Sequence, residues 1–291
     1  MLTRSVFSRS IHSGWLRLLL VAAVLGLPAI AGWPTPAAAA NPTLGTISTV
    51  AGTLGDGGPA TSALLYGAQL ATDTAGNLYV GEQYRVRKIS LGTNVITTIA
   101  GDGGYIDAGD GGPAIAASFS VSGIAVATNG DVYISDGAHR RVRKVAAATG
   151  IITTVAGNGT VGSSGDNGSA VSAQIMYPAG LAIDGTNGAL YIADQEDHRV
   201  RRVLNGIITT VAGTGVAGFG SNNQNALITH LDHPLSLAID AGNALYITDT
   251  FNERIRKLTF STGNLTTVAG NGTAGFVDNV TATSEIGRAH V

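Results

Sequence analysis

The stretch Leu245-Tyr-Ile-Thr-Asp-Thr-Phe-Asn-Glu-Arg-Ile-Arg-Lys257, followed shortly by Leu265-Thr-Thr-Val-Ala-Gly270, sets the reading of the whole chain, because each of its pieces recurs. The closing phrase also stands at 47–52, 96–101, 152–157 and 208–213, with starts 49, 56, 56 and 57 residues apart. The opening phrase returns as Leu78-Tyr-Val, Val132-Tyr-Ile and Leu190-Tyr-Ile, and the four copies end on Glu82, Asp136, Asp194 and Asp249. A basic phrase follows each acid: Arg85-Val-Arg-Lys, Arg141-Val-Arg-Lys, Arg199-Val-Arg-Arg and Arg254-Ile-Arg-Lys. A fixed period of this size marks a repeat architecture.

Each unit reads as four short strands. In the third they are predicted at 180–184, 189–193, 199–204 and 207–212, rich in the Val, Ile, Tyr and Thr that suit a pleated surface. Asn205-Gly206 and Gly76-Asn77 are among the hairpin turns between them, since Asn and Gly adopt the positive φ that tight turns need. Tandem four-stranded units of this length indicate an all-β chain, a β-propeller of antiparallel blades.

Composition agrees. Of 291 residues 41 are Gly, twice the usual ~7%, as turns demand. Charged residues make up only 12%, yet 44% hydrophobic content argues against disorder. With no Cys, disulfides, thiolate chemistry and Cys-ligated metals are excluded.

The two ends read differently. Residues 1–40 hold no acid; Arg4, Arg9 and Arg17 lead into an apolar run from Leu18 to Ile30 and then Ala38-Ala39-Ala40. That is the pattern of a cleaved secretory signal, with a run too short for the ~20 residues of a membrane span. The product is expected to be secreted, periplasmic or at the cell surface, without a membrane span after cleavage. Ile286 to Val291 reads as a translated sequencing adapter that interrupts a repeat. The propeller is therefore assigned to 41–285, with four full blades plus partial ones, as a fragment whose missing C-terminus supplies the rest. Without Arg4, Arg9, Arg17 and Arg288, 13 basic residues face 19 acidic ones, a balance of about −6 that is unsuited to nucleic acid.

The run from Leu245 to Lys257, with Asn252 in place, resembles the NHL-repeat family, and Gly109-Asp-Gly-Gly-Pro-Ala114, echoed at 55–60, is similar to the form found in secreted bacterial members and teneurin propellers. The resemblance covers 46–283 and implies about six blades in the intact protein. It implies scaffolds that bind ligands and, in some members, lyases. Departures are Glu82 in an Asp slot, Ala127 where Asp73, Asp184 and Asp240 stand elsewhere, and Ser221-Asn222-Asn223 in place of Gly-Asp-Gly.

Blade topology sorts the loops. The turn from second to third strand and the crossover of roughly twenty residues lie at one end, and the short Asn/Gly turns at the other. Long loops on a rigid frame are the default functional surface. The binding candidates at that end are Tyr84, His139, Arg140, Glu196, Asp197, His198, His233, Phe251, Asn252 and Glu253. The recurring acids Glu82, Asp136, Asp194 and Asp249 are expected to cap the following turn and pair with the recurring Arg87, Arg143, Arg201 and Arg256, an architectural role repeated in every blade.

Outside the two ends the histidines are His139, His198, His230 and His233, all placed at the loop-rich end as solvent-exposed residues. His230-Leu-Asp232-His233 is closely spaced but matches no zinc signature, and spacing cannot test ligands drawn from several blades. The Gly-Asp-Gly-Gly-Pro-Ala loops lack the Lys-Ser/Thr of a phosphate loop and the ligand pattern of an EF-hand; Pro59 and Pro113 are expected to open short helices. No catalytic set and no cofactor are expected. Calcium on Asp56, Asp110 and Asp166, or zinc on histidines, is the alternative. The favoured function is an exported scaffold binding a protein or glycan. A metal-assisted lyase or lactonase on the propeller axis, and a spacer within a larger cell-surface protein, stand beside it.

Overall fold

The computed structural model describes residues 55–275. The signal segment, the lone strand expected at 46–52 and the C-terminal residues from 276 onward lie outside that range.

Among the described residues, four antiparallel sheets follow one another in sequence. The first holds β1 (Gly67–Thr72), β2 (Leu78–Glu82), β3 (Arg85–Ser90) and β4 (Val95–Ala100). The second holds β5 (Val121–Val126), β6 (Val132–Asp136), β7 (Arg141–Val145) and β8 (Ile152–Ala156). The third holds β9 (Pro178–Ile183), β10 (Leu190–Asp194), β11 (Arg199–Leu204) and β12 (Ile207–Ala212). In the fourth, β13 (Gln224–Asn225) adds an outer pair to β14 (Pro234–Ile239), β15 (Ala244–Asp249), β16 (Arg254–Thr259) and β17 (Asn264–Ala269). These are the blades of a β-propeller.

Packing occurs between blades. Tyr79 and Val86 of the first blade meet Phe119, Ile134 and Ile152 of the second in one buried cluster. Val142 and Ala156 meet Ile192 and Ile208 in the next, and Tyr191 and Val200 meet Leu245 and Ile247 in the third. A second strand is therefore sandwiched: every residue of β10 is buried, because alternate side chains serve opposite neighbours. Burying Ile192 fully is worth roughly 1.5–3 kcal/mol.

The first strands β1, β5, β9 and β14 abut in order along the inner side. Their close approach uses missing side chains: a β-carbon on Gly123 would strike the Ala179 carbonyl, and one on Gly180 the Leu235 carbonyl. Each crossover hydrogen-bonds along the outer strand of the blade it enters, as Gly111 N to Ile152 O (2.8 Å) and Ile152 N to Gly112 O (3.0 Å) do. The otherwise open sheet edge is covered.

Pro59 and Pro113 stand one position earlier than expected. They are the N-caps of single 3₁₀ turns at Ala60–Ser62 and Ala114–Ala116. The alanines of those turns fit between blades: Ala114 and Ala117 are buried.

Candidate functional site

Hydrogen bonds place the loops. Val121 N bonds to Gln83 O, Gln195 N to Tyr177 O, and Phe251 N to Asp232 O, joining each second-to-third turn to the crossover arriving beside it. At the opposite end the short turns meet one another, as Leu91 N does with Asn77 Oδ1 and Ala147 N with Asp131 Oδ1. In the second blade Asp131 supplies the carboxylate absent from Ala127, 3.4 Å from Lys144 Nζ, as Asp73 is 3.6 Å from Lys88 in the first.

The recurring arginines are buried. Arg143, Arg201 and Arg256 are at most 1% exposed. In the first three blades the principal partners are crossover aspartates rather than the strand acids expected from sequence. Arg87 bonds to Asp56 at 2.9 Å, Arg143 to Asp110 at 2.6 Å and Arg201 to Asp166 at 2.7 Å. The strand acids are more distant: Glu82 stands 3.8 Å from Arg87, Asp194 3.8 Å from Arg201 and Asp249 3.4 Å from Arg256. Although burial opposes it, hydrogen bonds from Thr154 and Arg143 hold Asp110 below the usual carboxylate range. Asp56, Asp110 and Asp166, the candidate calcium ligands, thus serve to tie the crossover to the third strand.

In the fourth blade the crossover partner is missing. Asn222 occupies the aspartate slot, Arg256 reaches the Gly220 carbonyl (3.2 Å), and its Nε is buried with no hydrogen-bond partner. Phe219 fills part of the gap, its ring 3.9 Å from the Arg254 guanidinium and 5.1 Å from that of Arg256. With Phe219 46% exposed, such cation–π stacking contributes about 0.5–1 kcal/mol.

The strand acids cap the arriving crossover. Asp136 accepts from Ser120 N, Asp194 from Met176 N and Tyr177 N, and Asp249 from Asp232 N. Each is fully buried, so desolvation pushes Asp136 up, Asp194 up to about 7 and Asp249 up to about 6.

The binding candidates divide. Asp197 and Asn252 are buried and bonded inward, Asp197 to Arg199 (2.7 Å) and Asn252 to the Gly218 carbonyl and Asp249. They position their turns and present no surface. A single 3₁₀ turn at Gln195–Asp197 and at Thr250–Asn252 rolls those side chains under the loop. Arg140, His198 and Glu253 hold the left-handed residue that closes such turns, at φ 56°, 52° and 49°. Glu196 and Phe251 face solvent.

The histidines are half-buried and paired, against the expectation of exposed loop residues. His139 Nδ1 lies 2.7 Å from Asp136, and His230 Nδ1 lies 2.7 Å from Thr214 Oγ1. His198 and His233 meet edge-on, ring centres 4.7 Å apart, with Asp232 between them. Burial first, and the neighbouring His233 second, lower the pKa of His198.

Tyr84, a binding candidate, lines a cleft of about 190 Å³ with Glu82, Gln83, Arg85, Gly103 and Tyr66, the last not singled out from the sequence. Tyr105 of the next crossover adds to it, its ring 6.2 Å from that of Tyr84. Tyr66 and Tyr105 are 76% and 65% exposed. Three tyrosines in successive loops at the same end of the blades were the signal.

The family model of the NHL repeat matches residues 176–203, the span from the start of β9 to the end of β11. The chain carries an NHL repeat. NHL repeat-containing protein 2 from Bos taurus is 27% identical over 189 residues, 60% of this chain and 26% of that one. Teneurin-3 from Mus musculus is 30% identical over 205 residues, 64% of this chain and 7% of that one. A structural genomics protein from Bacteroides thetaiotaomicron shares the fold, with a TM-score of 0.50 at 18% identity over 83% of this NHL chain and 68% of its own. The chain spans only a small part of both curated relatives. Among the described residues no helix is long and apolar enough to cross a membrane.

Proposed function

We propose that this NHL propeller is an exported binding scaffold that takes a protein or glycan partner on its loop-rich end. The observation that carries the reading is the tyrosine cleft between the first two blades. Tyr66, Tyr84 and Tyr105 come from three separate loop segments, and Tyr66 and Tyr105, flanking the half-buried Tyr84, spend exposed aromatic surface where a monomeric surface gains nothing from it. Tyrosine offers large contact area at low entropic cost, and Gln83, whose amide donates to the Tyr84 hydroxyl at 2.8 Å, adds an orienting polar group beside it. The repeated frame below fixes the loops, so the cleft is pre-organised.

A glycan array and an interaction screen against exported proteins, read with the wild-type chain and with Tyr66, Tyr84 and Tyr105 all replaced by Ala, test this. A ligand lost at least tenfold in affinity in the variant, with an unchanged circular dichroism spectrum, supports the scaffold. A ligand held equally well by the variant removes the cleft from the proposal.

A further inference from the structure

Three side chains from two blades meet at the loop-rich end in an arrangement that the chain order hides. His198 closes the turn before β11, while Asp232 and His233 come immediately before β14. One donor atom from each lies within 4.8 Å of the other two. Asp232 Oδ1 is the hub, 2.6 Å from His233 Nδ1 and 3.6 Å from His198 Nδ1. Donors held about 2.1 Å from a tetrahedral cation stand about 3.4 Å from one another; the 3.6 Å between His198 and Asp232 is close to that, while the 2.6 Å His233–Asp232 hydrogen bond opens to admit the ion.

The supports of the cluster are fixed independently. Asp232 N donates to the buried Asp249 carboxylate at 2.7 Å, and the Asp232 carbonyl accepts from Phe251 N. His233 N donates to His198 Nδ1 at 3.2 Å, tying the His198 ring to the backbone of the loop before β14. The Phe251 ring covers one side of His233 at 4.1 Å. On the open side Glu196 Oε2 stands 3.8 Å from His233 Nε2, adding negative charge at the mouth.

His233 also carries a backbone cost that the fold does not require. It adopts φ 50°, whereas the residues that precede the first strand in the other blades, Tyr66, Ser120 and Tyr177, show no positive φ. A left-handed β-substituted residue is uncommon and strained. In this conformation the imidazole meets Asp232 and His198.

We propose that His198, Asp232 and His233 form a binding site for a first-row divalent transition cation, of which zinc is the type. Two imidazoles and one carboxylate are the borderline donor set that favours zinc, cobalt or nickel over the all-oxygen cations calcium and magnesium. Three protein donors leave at least one position open toward solvent and Glu196, so the bound cation exchanges ligands there. The site goes beyond the scaffold reading and does not depend on which partner the tyrosine cleft takes.

The test uses the chelator-treated, tag-free chain titrated with zinc chloride by calorimetry and with cobalt chloride by visible absorption. One equivalent of zinc per chain, and a cobalt d–d band of four- or five-coordinate intensity, are expected. His198→Asn and His233→Asn keep a residue that tolerates the left-handed backbone, so folding is retained; each is expected to weaken zinc at least tenfold. His139→Ala and His230→Ala are expected to change nothing. Absence of stoichiometric uptake, or uptake undiminished in both Asn variants, overturns the proposal.

Discussion

Arg201 and Asp166 lie 35 residues apart in the chain, yet both Nε and Nη2 of the buried guanidinium end on the same carboxylate oxygen, at 3.1 and 2.7 Å. The other oxygen of Asp166 accepts from Thr210 on the outer strand at 2.6 Å. One carboxylate thereby binds the crossover to the third and fourth strands of its blade at once. Asp110 repeats this with Arg143 and Thr154. The pair is thus a unit of the repeat, and its loss in one blade can be compared with its presence in the others.

Arg201→Ala is expected to cost about 3–5 kcal/mol, because it leaves the buried Asp194 and the bound face of Asp166 without their cation. Asp166→Asn keeps an acceptor for Arg201 and is expected to cost less. Urea midpoints of the three chains check the order. Equal midpoints for Arg201→Ala and wild type would show that the ion pair is not what holds the crossover.

Asn222→Asp is expected to stabilise the fourth blade by about 1 kcal/mol. Asn222 Oδ1 already accepts from Thr267 N at 2.7 Å, which places its side chain where Asp166 and Asp110 stand in their blades. A carboxylate there gives the unpartnered Nε of Arg256 a charge-assisted bond. The gain is kept modest because Asn222 is exposed and solvent screens the charge. A melting temperature raised in Asn222→Asp, but not in the double variant with Arg256→Met, confirms the pairing.

The strands were readable because their signals are local. β11 and β12 fall on the spans expected from their Val, Ile and Thr content and from Asn205-Gly206 between them. β9 begins two residues before its expected start, at Pro178, since proline is tolerated at the first position of a strand. The partner of each buried arginine could not be read in the same way. A recurring acid beside a recurring base suggested a pair within the strands, while the stronger contact comes from a loop more than thirty residues earlier. The same distance in sequence hid the meeting of His198 with His233. Asp197 and Asn252 looked like surface because turn residues are usually polar and exposed; only the 3₁₀ geometry of the turn shows them facing inward.

Burial of Asp194 sets a pH dependence. Its carboxyl titrates near 3.8 when unfolded and near 7 in the fold, where Oδ2 is buried without a hydrogen-bond partner. Between those values the folded state holds a proton that the unfolded state has released. Stability therefore falls as pH rises from about 4 to 7. The lowered aspartates, such as Asp110, act in the opposite direction and below that window. Asp194→Asn keeps an acceptor for Met176 N and Tyr177 N and no longer titrates. Its urea midpoint is expected to fall less between pH 4.5 and 7.5 than that of the wild type, and parallel slopes would refute the assignment.

Two glycines separate backbone strain from mere glycine abundance. Gly157 follows β8 at φ 85°, and a β-carbon there would strike the Arg140 carbonyl at the turn that carries His139. Gly58 lies in the first crossover without a positive φ, and nothing stands within 4 Å of its would-be β-carbon. Gly157→Ala meets both the left-handed penalty and a backbone clash, so a loss of roughly 2–4 kcal/mol is expected. Gly58→Ala restricts the unfolded chain at no steric cost and is expected to be neutral or stabilising by a few tenths of a kcal/mol. Melting temperatures of the two variants measured side by side decide this. A Gly157→Ala chain as stable as Gly58→Ala would mean that the turn between β6 and β7 moves freely, and the loop-rich end would lose the rigidity that a pre-formed binding surface requires.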